Sequence, residues 1–149
     1  MALIALGPTT RRVLQALLYE ACAIAVVGPA MAWFFDAPLG ASLALSVLLS
    51  SIALAWNYVF NALFERWEAR QPVKGRSWRR RLAHGIGFEG GLVVFMVPVM
   101  AWWLDTTLWR ALVADLGLLA FFFVYAVGFT WAFDRVFGLP ASARPAPGP

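Results

Sequence analysis

Four apolar stretches, at roughly residues 13–35, 41–64, 82–104 and 109–133, leave this chain few folds to choose from. Each holds roughly 23 to 25 residues, about 34–38 Å as a helix, which crosses a bilayer core of roughly 30 Å with some tilt. Backbone groups in hydrocarbon must be satisfied within their own segment, so the spans are helices. Of the 149 residues 62% are hydrophobic and 13% charged, too little polar surface for a water-soluble domain. The expected fold is all-α: an integral membrane protein with four transmembrane helices, arranged as two tandem helical hairpins.

The charges give the orientation. Arg11 and Arg12 precede the first span, and Arg66, Arg70, Lys74, Arg76, Arg79, Arg80 and Arg81 fill the link between the second and third. Arg135 and Arg144 follow the fourth, and only Arg110 lies on the other side. The positive-inside rule then places both termini and the central link in the cytoplasm. Because these basic residues flank spans, they do not point to nucleic acid. The single cysteine, Cys22, lies inside the first span and reads as a small packing residue. The first apolar run is too long for a cleavable signal and reads as a membrane anchor.

Short connections at Asp36-Ala37-Pro38 and Asp105-Thr106-Thr107 force antiparallel neighbours. Thr9 or Thr10 is the expected cap of the first helix, and Ser77 of the third. Pro72 and Gly75 are expected to end the second helix after it has passed beyond the bilayer. The organisation is a first helix pair at 11–67, a basic link at 68–80, a second pair at 81–137 and a disordered tail at 138–149.

The halves align without gaps at an offset of 69 residues. Arg12 falls on Arg81, Gln15 on His84, Tyr19 on Phe88, Glu20 on Glu89, Pro29 on Pro98, Met31 on Met100, Trp33 on Trp102, Asp36 on Asp105 and Arg66 on Arg135. Matches of Arg, Glu, Pro, Trp and Asp are hard to obtain by chance in an apolar sequence. Both halves start on the same side, so the repeat is parallel.

Glu20 and Glu89 are the residues that most need a function. Each lies eight residues past an arginine, about 12 Å into its span. Intramembrane acids are rare and functional by default. Burial disfavours the charged carboxylate, so such a group takes a proton when its site is empty and loses it when a cation arrives. The plainer alternative is an acid that snorkels to the interface or bonds a neighbouring helix. Glu20 is the expected coupling carboxylate. Glu89 sits among Gly87, Gly90 and Gly91, with His84 and Arg79–Arg81 nearer the edge, and is expected to support packing or proton access.

Trp56, Asn57, Phe60 and Asn61 form a polar and aromatic band in the second span. Asn57 is at about the depth of Glu20, and a hydrogen bond between them would orient the acid. Tyr19, Trp56 and Phe60 can add cation–π attraction for an organic cation. As alternatives, the asparagines are interhelical glue and the aromatics core or lipid-facing. Trp33, Trp102, Trp103 and Trp109 read as an interfacial belt. Asp115 is either an outer proton relay or a partner of Arg110, and Asp36 and Asp105 are turn residues. One His and one Cys make no metal set, no Gly-rich phosphate loop joins a strand to a helix, and no serine accompanies the sole His84. The chain is therefore expected to be neither an enzyme nor a cofactor or metal binder, with protons as its coupling ion.

Arg12-x-x-Gln15-Ala16-x-x-Tyr19-Glu20, Trp56-Asn57-x-x-Phe60-Asn61-x-x-Phe64-Glu65, Arg81-x-x-His84-Gly85-x-x-Phe88-Glu89-Gly90-Gly91 and Trp131-x-x-Asp134 together resemble the proteobacterial antimicrobial compound efflux family, built from tandem bacterial transmembrane-pair domains. The resemblance spans roughly residues 11–137. It implies a proton-coupled exporter of cationic biocides such as chlorhexidine, acriflavine-like dyes or short-chain diamines, with Glu20 as the coupling acid. Gln15 stands where the motif commonly has His, Tyr19 where it has Phe, and Glu65 where it has Asp. Four helices leave little room for a closed pathway, so a homodimer packed through small-residue faces is expected. The alternative function is a non-transporting module that packs in a larger complex.

Overall fold

The computed structural model describes residues 7–72 and 77–138, and every regular element among them is an α-helix. The helices are α1 (Pro8–Phe35), α2 (Leu39–Ala69), α3 (Trp78–Trp103) and α4 (Leu108–Phe137). All four are long and apolar enough to cross a membrane. Large apolar side chains such as Leu54, Val94, Phe123 and Val124 are exposed, an arrangement that suits hydrocarbon. Lys74, Gly75 and Arg76 of the basic link and residues 139–149 of the expected tail lie outside the described residues.

Helix boundaries follow local chemistry. α1 begins at Pro8, whose fixed φ suits the first helical position, with the Gly7 carbonyl accepting from Arg11 N at 2.9 Å. Thr9 and Thr10 therefore lie inside the first turn and do not cap it. Ser77 caps α3 by accepting from Arg80 N at 3.4 Å, and Thr107 Oγ1 accepts from Arg110 N at 3.2 Å at the start of α4.

The two short turns are built alike. Asp36 (φ 53°) and Asp105 (φ 46°) each occupy the left-handed region just past a helix end. Each is closed by a long-reach bond, from Ala37 N to Ala32 O (3.0 Å) and from Thr106 N to Ala101 O (2.9 Å). These are Schellman closures with Asp where Gly is usual. The 69-residue offset thus extends from sequence to backbone, and α2 and α4 begin at Leu39 and Leu108 in the same register. Pro29 and Pro98 sit inside α1 and α3 at that offset as well.

The chain groups into two compact units that cut across the repeat. The first comprises the described residues of Met1–Val26 and Gly117–Pro149, which are the beginning of α1 and the later turns of α4. The second, Val27–Leu116, holds the rest of α1, all of α2 and α3, and the start of α4. Most of the buried core lies in the second unit: Val27, Met31, Leu45, Leu49, Val97, Met100 and Ala111, with Leu45 and Met100 fully enclosed. Gly28 lets Leu43 approach α1, since a Cβ there would stand 2.5 Å from Leu43 Cδ2. Ser42, Ser46 and Asp115 are buried among these apolar residues, and Ser46 Oγ donates back to Ser42 O at 2.8 Å.

Candidate functional site

In the first unit the decisive pattern is the spacing of α4. Phe121, Tyr125, Phe129, Phe133 and Phe137 recur every fourth residue, so their rings form one stripe along the helix. Neighbouring centroids lie 4.5–5.9 Å apart along it. Tyr19 of α1 packs against this stripe, 4.7 Å from Tyr125 and 5.2 Å from Phe129, the latter edge-on. The Tyr125 hydroxyl donates to the Tyr19 carbonyl at 2.7 Å. Both phenols lie within electrostatic reach of the Glu20 carboxylate. Glu20, half-buried, thus follows the residue on which the rings pack and lies within electrostatic reach of both phenol hydroxyls.

An ion pair closes this unit near the chain termini. Arg11, 6% exposed, pairs with Asp134, donates from Nε to Gly138 O at 3.1 Å and from Nη1 to Gln15 Oε1 at 3.1 Å. Its guanidinium also lies over the Phe133 ring, 5.1 Å from the centroid. These contacts satisfy a guanidinium that burial would otherwise penalise.

The second unit brings together the other predicted residues. α2 and α3 share the most extensive helix pairing among the described residues, and glycine explains it. A Cβ on Gly87 would stand 3.1 Å from the Phe60 ring, and one on Gly91 only 2.0 Å from Trp56 Cζ2. Trp56 Nε1 donates to Phe88 O at 2.9 Å. Asn61 Nδ2 donates to Asn57 O at 2.8 Å and to Asn57 Oδ1, which turns Asn61 Oδ1 toward His84 Nε2 at 2.9 Å. This fits an imidazole protonated on Nε2. His84 is wrapped by Phe60 (5.1 Å), Phe64 (4.8 Å) and Phe88 (6.3 Å). The small-residue face at Gly87 and Gly91 is therefore filled within the chain.

Sequence reasoning set Trp56 and Asn57 opposite Glu20. In the structure Trp56 engages α3, Asn57 bonds within the Asn57–Asn61–His84 file, and the rings packed on Tyr19, the neighbour of Glu20, come from α4. Tyr125 and Phe129 were missed as site residues. Their four-residue spacing, and the alignment of Tyr125 with Trp56, were the available signals. Asp115 and Glu89 lie within electrostatic reach of each other in the second unit. Arg110 does not pair with Asp115: its Nη2 donates to Phe34 O at 3.4 Å and its guanidinium stacks near Phe34 and Phe35. Asp115 makes no hydrogen bond or ion pair among the described residues. Trp33, Trp102 and Trp109 are strongly exposed, as belt anchors would be, whereas Trp103 donates to Ala41 O at 3.1 Å and braces α2.

A family model described as chlorhexidine efflux transporter matches residues 8–70 and again 76–139, covering both halves. The chain belongs to this family. It is a multi-pass membrane transporter of the efflux type, not an enzyme, built from two tandem copies of the bacterial transmembrane-pair domain. It is similar to proteins named short-chain diamines transporter. That of Vibrio parahaemolyticus is 38% identical over 84% of this chain and 89% of its own length, and that of Acinetobacter baylyi 34% identical over 85% and 89%. A third, from Acinetobacter baumannii, is 32% identical over 85% of this chain and 87% of its own. No solved structure matches the transporter. Family membership favours transport over the non-transporting module, and among the described residues no His, Cys, Asp and Glu group forms a metal site.

Proposed function

We propose that this transporter exports small organic dications from the cytoplasm in exchange for protons, across the bacterial inner membrane, with both chain termini cytoplasmic. The observation that carries the reading is Glu20, an acid inside an apolar span, beside the Tyr19–Tyr125–Phe129 ring cluster. A carboxylate supplies charge pairing and the rings supply cation–π attraction, so an ammonium or guanidinium-like head is the ligand that uses both. The relatives are named for short diamines and the family for chlorhexidine, which carries two cationic groups on an apolar spacer. That shared chemistry defines the substrate class, with acriflavine-like dyes as further members.

Glu20 holds either a proton or the substrate cation, which couples the two fluxes. Asn57, Asn61 and His84 form a polar file along α2 and α3, and with Glu89 and Asp115 serve proton access. Two copies of the chain assemble as a homodimer through a face other than Gly87 and Gly91. The test is proton release from purified protein on addition of 1,5-diaminopentane, with tracer exchange in proteoliposomes as a second readout. Wild type should release protons and Glu20→Gln should not; equal release from both would refute the coupling assignment. Native mass measurement in lipid-like detergent reads the dimer.

A further inference from the structure

The two halves contain the same interhelical hydrogen bond, made by different donors. Tyr125 donates to the carbonyl of Tyr19, the residue before Glu20. Trp56 donates to the carbonyl of Phe88, the residue before Glu89. Donors and acceptors are each related by the 69-residue offset. Each accepting carbonyl lies inside a helix whose own ladder supplies its first donor, so the aromatic group occupies a second lone pair.

The residue two positions past each acid changes with its donor. Gly91 follows Glu89, and the Trp56 ring lies directly over it, where a Cβ would stand 2.0 Å away. Cys22 follows Glu20 at the equivalent position, within electrostatic reach of the smaller phenol of Tyr125. A large donor goes with glycine and a smaller donor with a side chain. The bond is therefore fitted separately in each half.

We infer that Tyr125 is a positioning residue for Glu20: its hydroxyl, by holding the Tyr19 carbonyl, fixes the rotation of α1 and so where the adjacent carboxylate points. Rings at Phe121 and Phe129 pack along Tyr125, 5.2 and 5.6 Å away, and direct the hydroxyl at α1. The inference rests on Glu20 being the coupling acid.

The experiment measures binding of 1,5-diaminopentane against pH, by tryptophan fluorescence, on the folded full-length protein. Tyr125→Phe keeps the ring and removes the donor. Binding should weaken roughly two- to tenfold, the share of one interhelical hydrogen bond. The pH of half-saturation should move up by about 0.3 to 1 unit, because a cation competing with a proton then needs a larger deprotonated fraction. The double variant Tyr125→Trp with Cys22→Gly rebuilds the second half's arrangement and should return the midpoint to the wild-type value. Tyr58→Phe removes a hydroxyl that is 80% exposed and should leave the midpoint in place.

A wild-type midpoint in Tyr125→Phe overturns the inference. So does a shift that the Trp/Gly pair fails to restore, since ring shape would then be the cause, or an equal shift in Tyr58→Phe. Glu20→Gln separates the two levels of argument. If it keeps the wild-type pH profile, the coupling assignment fails. If it loses pH dependence while Tyr125→Phe is unshifted, only the positioning role fails.

Discussion

Gly90 and Gly91 are adjacent in α3, yet replacing each by alanine should have opposite consequences. A Cβ on Gly91 would meet Trp56 Cζ2 at 2.0 Å and Cε2 at 2.4 Å, whereas one on Gly90 meets nothing within 4 Å. Ordinary contact begins near 3.4 Å, so the Trp56 ring would have to retreat by about 1.4 Å. The indole Nε1 donates to Phe88 O at 2.9 Å, and that displacement carries it out of hydrogen-bond range. Overpacking costs about 1–3 kcal/mol, and loss of a partly buried hydrogen bond adds about 0.5–1.5 kcal/mol. Gly91→Ala should therefore destabilise the fold by about 2–4 kcal/mol. Gly90→Ala should be neutral or slightly stabilising, since alanine exceeds glycine in helix propensity by up to about 1 kcal/mol. Reversible unfolding in mixed micelles, followed by tryptophan fluorescence, gives both values. Adding Trp56→Phe to Gly91→Ala should recover part of the loss by making room for the Cβ. If the two alanine variants unfold together, the α2–α3 pairing described above is wrong.

Other expectations follow from single contacts. Asp134→Asn leaves the Arg11 guanidinium buried without its counter-charge; it should cost about 2–3 kcal/mol, below the full 3–5 of an enclosed pair because Asp134 is partly exposed, and Arg11→Leu with Asp134→Leu should recover most of it in a double-mutant cycle. His84→Phe removes the partner of Asn61 Oδ1 and should destabilise by about 1–2 kcal/mol, while His84→Gln, which can still donate, should cost less in the same unfolding assay. Arg110→Gln and Asp115→Asn should be additive within about 0.5 kcal/mol, because these residues share no contact; a larger coupling would restore the ion pair that the sequence spacing allowed.

Hydropathy and the 69-residue offset made the four helices, their short turns and the Ser77 cap legible, because each depends on neighbours in the chain. Which helix faces which side chain was not legible in the same way. Helical rise put Asn57 and Glu20 at equal depth, and depth is all that rise provides. Azimuth is decided by fit. Gly87 and Gly91, one turn apart, make a shallow groove on α3; Trp56 and Phe60, also one turn apart, make the ridge that fills it. Both spacings stood in the sequence, but reading the glycines as a packing face did not say which rings would fill it.

The repeat adds a constraint that neither half offers alone. The carbonyl before each acid accepts an aromatic donor from another helix, so the geometry persists across the duplication while its chemistry diverges. Indole can only donate, whereas a phenol both donates and accepts. The half with the phenol has Tyr19, next to its acid, packed edge-on against Phe129, and Gln15 held by Arg11. The half with the indole has a histidine–asparagine file and a glycine-floored contact. Two acids equal in origin are thus given unequal surroundings: rings of α4 packed on Tyr19, the neighbour of Glu20, and a histidine–asparagine file between α2 and α3, the helix that carries Glu89. The difference arises from side chains laid on one shared backbone register, since both interhelical bonds sit at the same offset.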